Sequence, residues 1–167
     1  ACKLVRKRGL YMQSEVPVGQ GGMAAVLGLD ASVIEAVCEA SEGIVQIANY
    51  NCPGQIVISG EKSAVEAVEA PLKEAGAKRV VMLNVSGPFH SPMLKGAGDK
   101  LGQELESVTI NDIKIPYVAN VTGGFVDSKE DVKDLLKRQV YSSVKWQQCC
   151  EAMVASGIDA FIEIGAG

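Results

Sequence analysis

Ile44-Val45-Gln46-Ile47-Ala48 and Gln55-Ile56-Val57-Ile58-Ser59, joined by Asn49-Tyr50-Asn51-Cys52-Pro53-Gly54, are the stretch on which the fold turns. Each flank is a short run of β-branched residues. The connecting segment carries the Asn, Pro and Gly that break strands and make turns. The reading is therefore two neighbouring strands, Ile44 to Ala48 and Gln55 to Ser59, with a turn over residues 49 to 54. Working outward, Met23 to Leu29 reads as a strand before this pair. Asp30 is placed to cap a helix over Ala31 to Ala40, whose Val33, Ile34 and Val37 share a face. On the other side, Lys62 to Ala75 repeats apolar residues at helical spacing through Val65, Val68, Leu72 and Ala75. Pro71 should kink or shorten that helix, because an interior proline costs about 3 kcal/mol. Lys78 to Val85 completes the block as a strand.

The order β-α-β-β-α-β over about residues 20 to 86 is the ferredoxin-like split arrangement, in which two helices cover one face of an antiparallel sheet. The best boundary candidate lies just before it, where Pro17 and the Gly19-Gln20-Gly21-Gly22 run break the chain like a hinge. Ala1 to Met12 reads as the end of an amphipathic helix. After the block, Met93, Leu94, Ala97, Leu101 and Leu105 mark a long helix. Ile115 to Val121 then reads as a strand, Val132 to Tyr141 and Trp146 to Ala155 as helices, and Ala160 to Ile164 as a strand. That alternation suggests part of a parallel sheet covered by helices. The chain opens on Ala1 inside a helical pattern and closes on a strand and turn, so both ends read as cut.

Of the 167 residues, 47% are hydrophobic and 22% charged, as in an ordinary globular domain rather than a disordered tail. The net charge of −4 offers no basic surface for nucleic acid. The Lys3-Arg6-Lys7-Arg8 group reads as the solvated face of a helix. No apolar run approaches the roughly 20 residues needed to span a bilayer. Five cysteines, an odd number, accompany a single histidine, which fits neither a disulfide framework nor a zinc site. A reduced, cytoplasmic setting is the simplest reading. No metal or tightly held cofactor is implied.

His90, the lone histidine, lies in Ser86-Gly87-Pro88-Phe89-His90-Ser91-Pro92, between a strand end and a helix. Acid-base work near neutral pH would fall to it first; the plainer alternative is a loop histidine that caps a helix or sits in solvent. Arg8, at a helix end beside Gly9, is either a surface arginine or a fork for a substrate carboxylate. Gln139, beside Arg138, suggests nothing by itself. Asn49, Asn51 and Gln55 read first as turn-stabilising residues. Cys52, Cys149 and Cys150 lie in no nucleophile signature. The glycine run matches neither a phosphate loop nor a dinucleotide fingerprint.

Taken together, the segments resemble the malonyl-CoA:acyl carrier protein transacylases. The matching stretches are Leu4-Val5-Arg6-Lys7-Arg8-Gly9-Leu10-Tyr11-Met12-Gln13, Gly22 to Leu29, Asn49 to Gly60, Glu74 to Arg79, Val85-Ser86-Gly87-Pro88-Phe89-His90, Arg138-Gln139-Val140-Tyr141 and Glu163 to Gly167. The resemblance implies an α/β fold, with a ferredoxin-like small domain (residues 19–86) inserted in a partial α/β-hydrolase-like large domain (residues 1–18 and 87–167). It implies a ping-pong transfer of malonyl from malonyl-CoA, through a serine ester, to the phosphopantetheine thiol of acyl carrier protein. In that scheme Arg8 binds the malonyl carboxylate and His90 is the general base. The Gln139 backbone carbonyl orients the imidazole, Phe89 marks malonyl rather than methylmalonyl selection, and Met12, Asn49 and Asn51 lie near the acyl pocket. The family's serine elbow should fall upstream of Ala1, and neither Ser86 nor Ser91 has its setting. This chain alone is therefore expected to be inactive. The closing Gly-Ala-Gly stands where Gly-Pro-Gly is commoner. Two other readings stay open: a non-catalytic ferredoxin-like module that docks a carrier protein, and an acyltransferase domain of a polyketide or fatty acid megasynthase.

Overall fold

The computed structural model describes residues 1–85 and 87–165. Ser86, beside the histidine, and Ala166-Gly167 of the closing motif lie outside them. The first helix, α1, spans Cys2–Glu15. The sheet unit follows: β1 Gly21–Leu27, α2 Ala31–Glu39, β2 Val45–Cys52, β3 Gln55–Glu61, α3 Lys62–Ala67, α4 Glu69–Glu74 and β4 Arg79–Met82. The strands form one antiparallel sheet in the order β2-β3-β1-β4, with Ala24 opposite Ile58 and Ile58 opposite Ile47. This row is apolar because it faces the helices. Ala24, Ile47 and Ile58 pack there against Ile34 and Cys38 of α2, Val65 of α3 and Leu72 of α4.

Three local readings need correction. The segment taken as a turn is mostly strand: Asn49 to Cys52 continue β2, and only Pro53 and Gly54 separate it from β3. Gly54 takes φ 74°, the left-handed geometry a two-residue hairpin needs. The register slips between Ile47 and Asn49 and again between Tyr50 and Cys52, so β2 bends along this half. The helix expected over Lys62 to Ala75 is two short helices that meet at Val68. The break falls where Pro71 demands it, since a proline ring collides with the carbonyl four residues back, here that of Ala67. The last strand runs only from Arg79 to Met82.

Beyond the sheet unit, a 3-10 turn at Pro92–Leu94 leads into α5, Lys95–Glu106. Leu94 of that turn and Ala97, Leu101 and Leu105 of α5 form one buried stripe and pack with Met12 and Val16 at the α1 end, and with Val140. Gly98 allows this close fit, because a Cβ there would lie 2.6 Å from the Tyr141 ring. Helices α6 Val132–Arg138 and α7 Trp146–Ala155 match expectation, α6 ending three residues early.

The two strands expected here do not form as read. Of Ile115 to Val121, only Val118–Ala119 (β5) is strand, paired antiparallel with Gly124–Phe125 (β6). Ala160 to Ile164 is irregular and exposed. Among the described residues there is no parallel sheet. Beyond the two residues paired with β6, neither apolar run has a neighbouring strand among the described residues to take up its backbone N–H and C=O groups, and a strand without a ladder is not a strand.

Candidate active site

His90 sits between the sheet and the α1–α5 core, on the loop from β4 to the 3-10 turn. Pro88 is fully buried and packs on Gly21 at the start of β1, where a side-chain carbon would come within 2.2 Å of the proline ring. Phe89 packs against both the α1–α5 core and the sheet face formed by Met23, Ala48 and Val57. Ser91, also buried, donates its hydroxyl to the Pro88 carbonyl at 2.8 Å. The loop is thus pinned on either side of the histidine. His90 itself has φ 57°, the only non-glycine positive φ among the described residues. For a residue with a Cβ this left-handed geometry is uncommon, and it persists where surrounding contacts over-determine it.

The imidazole Nδ1 lies 2.9 Å from the backbone carbonyl oxygen of Gln139, which follows α6. A carbonyl can only accept, so Nδ1 carries the hydrogen and Nε2 is left with its lone pair. Burial pushes the pKa of His90 below the ordinary 6.5; the Gln139 carbonyl raises it, the positive charge of Arg8 lowers it, and the Ser142 backbone raises it. The neutral ring with a free Nε2 is therefore the form present near pH 7.

Arg8 projects from the middle of α1, half-buried, its pKa lowered by burial. It remains a cation, since a guanidinium does not lose its proton in a protein. Met12, one turn later on the same face, is buried in the α1–α5 core and anchors that face. The structure therefore brings His90 and the Gln139 carbonyl into contact from segments 49 residues apart, and sets the charge of Arg8 on α1 where it bears on the same ring.

The remaining residues are placed differently. Asn49 and Asn51 are half-buried strand residues of β2 rather than turn residues. Asn49 forms a bridge with Val144, and neither amide bonds to His90 or Gln139. The Gln139 side chain does not bond the ring; it donates to the carbonyls of Ser142 and Ser143, at 3.2 and 3.4 Å. It tightens the turn whose start supplies the carbonyl to His90.

Sequence reasoning missed two residues. Gln46 of β2 donates from Nε2 to the His90 carbonyl at 2.9 Å, and Ser143 donates its hydroxyl to the Ile47 carbonyl at 2.6 Å. Neither lies in a motif. Each matters only because the fold sets β2 beside a loop 44 or more residues away.

Elsewhere the chemistry is quiet. Burial pushes the Cys38 thiol up to about 11, helped by Glu35 and Glu39, and raises Cys149 as well, so neither is a thiolate near neutral pH. An apolar groove of about 530 Å³ between α2 and the α3–α4 pair is lined by Val33, Val37, Ala40, Val68 and Pro71, and touches none of the site residues. Among the described residues no helix is long and apolar enough to cross a membrane, and no group of three or more His, Cys, Asp or Glu side chains is arranged to hold a metal ion.

Comparison with known proteins gives this geometry its context. Residues 1–166 match the family model described as the acyl transferase domain. The malonyl CoA-acyl carrier protein transacylase of Bacillus subtilis is 46% identical over 166 residues, which cover 98% of this chain and 52% of that protein. That of Escherichia coli K12 is 45% identical over 169 residues, 100% of this chain and 55% of its own. The crystal structure of the Clostridium perfringens malonyl CoA-acyl carrier protein transacylase superimposes with a TM-score of 0.95 at 44% identity, over 99% of this chain and 52% of the other. The chain spans about half the length of the curated relatives it matches.

Proposed function

Because the chain belongs to the acyl transferase domain family, we propose that the whole protein transfers the malonyl group of malonyl-CoA to the phosphopantetheine thiol of acyl carrier protein, through a serine ester. The observation that carries this reading is the neutral imidazole held through Nδ1 by the Gln139 carbonyl, with a guanidinium bearing on the same ring. The near-identical fold of the Clostridium perfringens transacylase and the shared activity of the named relatives support it independently.

The serine comes from polypeptide outside this sequence. His90 Nε2 takes its proton as the hydroxyl oxygen attacks the malonyl thioester. The imidazolium then protonates the departing coenzyme A sulfur as the C–S bond breaks. In the second half, the same nitrogen takes the proton of the incoming thiol, whose sulfur attacks the serine ester. The collapsing intermediate expels the serine oxygen, which recovers a proton from the imidazolium. Gln139 does through a peptide carbonyl what a carboxylate does in other triads: it fixes the tautomer and the ring plane. Arg8 pairs with the malonyl carboxylate through two parallel charge-assisted bonds, so an acyl group without that carboxylate loses its anchor. Phe89, wedged between two cores, limits the room beside the malonyl methylene. Met12 shapes the wall below Arg8, and Asn49 and Asn51 lie at the pocket's outer edge. Malonyl-CoA is a substrate, and no cofactor enters the cycle.

On this reading the β1–β4 unit, residues 19–86, is a ferredoxin-like small domain, as the order β2-β3-β1-β4 supports. Residues 1–18 and 87–167 belong to a larger α/β-hydrolase-like domain, in which the apolar runs near Ile115 and Ile162 pair with strands of the rest of the protein. The setting is the cytoplasm, where carrier-protein-dependent fatty acid synthesis proceeds.

The test is transfer from malonyl-CoA to carrier protein by the full-length protein. His90→Ala is expected to cut kcat/KM by at least about 10²-fold. The acid limb of the native pH profile should lie below the ordinary histidine value of 6.5, because burial keeps the base neutral into mild acid. Arg8→Ala should lower the preference for malonyl over acetyl thioesters by about 10- to 100-fold, the worth of a charge-assisted pair. Transfer that survives His90→Ala would overturn the base assignment, and selectivity that survives Arg8→Ala would place the carboxylate anchor elsewhere.

A further inference from the structure

We propose that Gln46 is a positioning residue for His90, holding the histidine's main chain from β2 while the same strand holds the segment that grips the ring. The inference rests on the reading of His90 as the base.

The argument starts from the left-handed backbone. A histidine at φ 57° can relax by turning the peptide that follows it, and that motion would swing the imidazole away from the Gln139 carbonyl. The other restraints on the loop act beside the histidine, Pro88 against Gly21 and the Ser91 hydroxyl on the Pro88 carbonyl. Among the described residues, only the Gln46 amide takes hold of the His90 carbonyl itself, at 2.9 Å. It does so from an element 44 residues away whose position the sheet fixes.

The second half of the grip is on the same strand. The Val144 N–H donates to the Ala48 carbonyl at 2.7 Å, and the Tyr50 N–H to the Val144 carbonyl at 2.8 Å. The Ser143 hydroxyl bonds the Ile47 carbonyl. These bonds fasten the turn whose first residue is Gln139. Strand β2 therefore sets both the peptide of His90 and the carbonyl that its Nδ1–H must reach. Gln46 can do this because it lies on the sheet face away from the helices, in one row with Ser59 and Met23, directly beneath the Phe89–His90 loop. No bond joins Gln46 to Arg8, so its influence runs through the angle of the ring and not through the carboxylate anchor. The charge that bears on the ring is that of Arg8 on α1, and what Gln46 brings from β2 is a neutral amide on the His90 carbonyl.

The experiment uses the full-length protein and two substitutions, Gln46→Met, which keeps the length and loses the donor, and Gln46→Asn, which keeps the amide and loses the reach. Both should lower kcat about tenfold or more, since small displacements of a reacting group cost that much. KM for malonyl-CoA should stay within about twofold of native. The acid limb of the kcat/KM profile should move up toward the ordinary histidine value as the freed ring gains solvent. Ser59→Ala, in the same row of the sheet, should leave all three unchanged. Native kcat and an unmoved acid limb in either Gln46 variant would overturn the proposal, as would an equal loss in Ser59→Ala. His90→Ala, measured alongside, separates the two ways of failing. If it still transfers malonyl, the base assignment falls; if it is inactive while the Gln46 variants behave as native, only the positioning role falls.

Discussion

Ile58 in β3 and Ile162 near the end of the described chain are the same side chain in opposite circumstances, 0% and 86% exposed. Both stand in short apolar runs that read as strands. Ile58 lies in a strand with a partner on each side, β1 and β2, and its face is covered by α2, α3 and α4. Ile162 has no neighbouring strand among the described residues, and Phe161 and Ile164 beside it are also exposed. The difference lies in the company. Hydrophobic sequence supplies the drive to be buried, but a strand exists only where another backbone answers its N–H and C=O groups.

The comparison predicts unequal sensitivity, and the largest effect belongs to the sheet. Ile58→Ala should destabilise the fold by about 2–5 kcal/mol, the cost of a cavity in a core closed from both sides. Urea unfolding followed by circular dichroism measures it. A loss well under 1 kcal/mol would mean that the sheet core relaxes around the gap and is looser than its burial indicates.

A smaller effect is expected at the His90 loop, between the sheet and the α1–α5 core. The left-handed backbone costs a residue with a Cβ about 1–2 kcal/mol more than it costs glycine. His90→Gly and His90→Ala both remove the ring and the bond to Gln139. They differ chiefly in that backbone strain, offset in part by the greater freedom of glycine in the unfolded chain. His90→Gly should therefore be the more stable of the two, by about 1 kcal/mol. Equal stability would show that the loop gives up the left-handed conformation once the ring is gone, and that the ring, more than Gln46 or Pro88, was holding it.

How much of this could be read from the sequence follows the same division. Strands β1 and β3, helix α2 and the buried stripe of α5 were legible because their periodicity is local and their partners lie within the same block. The turn at Asn49 was misread for a physical reason: Asn and Pro signal a turn in isolation, yet Asn49 to Cys52 are drawn into β2 by pairing with β3 and bridging to Val144. His90 was legible as a candidate because it is the only histidine, and Arg8 and Gln139 only through family resemblance. The left-handed backbone of His90 and the reach of Gln46 were not legible at all. Both arise from the packing of a loop against a strand distant in sequence, and no window of residues contains that information.

The smallest effect tests the other side of the comparison. Ile162→Ala removes as many methyl and methylene groups as Ile58→Ala, but from a side chain that water already surrounds, so there is little transfer free energy to lose and no cavity to leave. In this chain it should change stability by less than about 0.5 kcal/mol, the range of ordinary surface substitutions. In the full-length protein the same substitution should cost several times more, because the proposed larger sheet would surround that residue with strands. The contrast between the two backgrounds is sharper than either number alone. Near-zero cost in both would mean that the run around Ile162 never enters a sheet, and the proposed large domain would then have to be built without it.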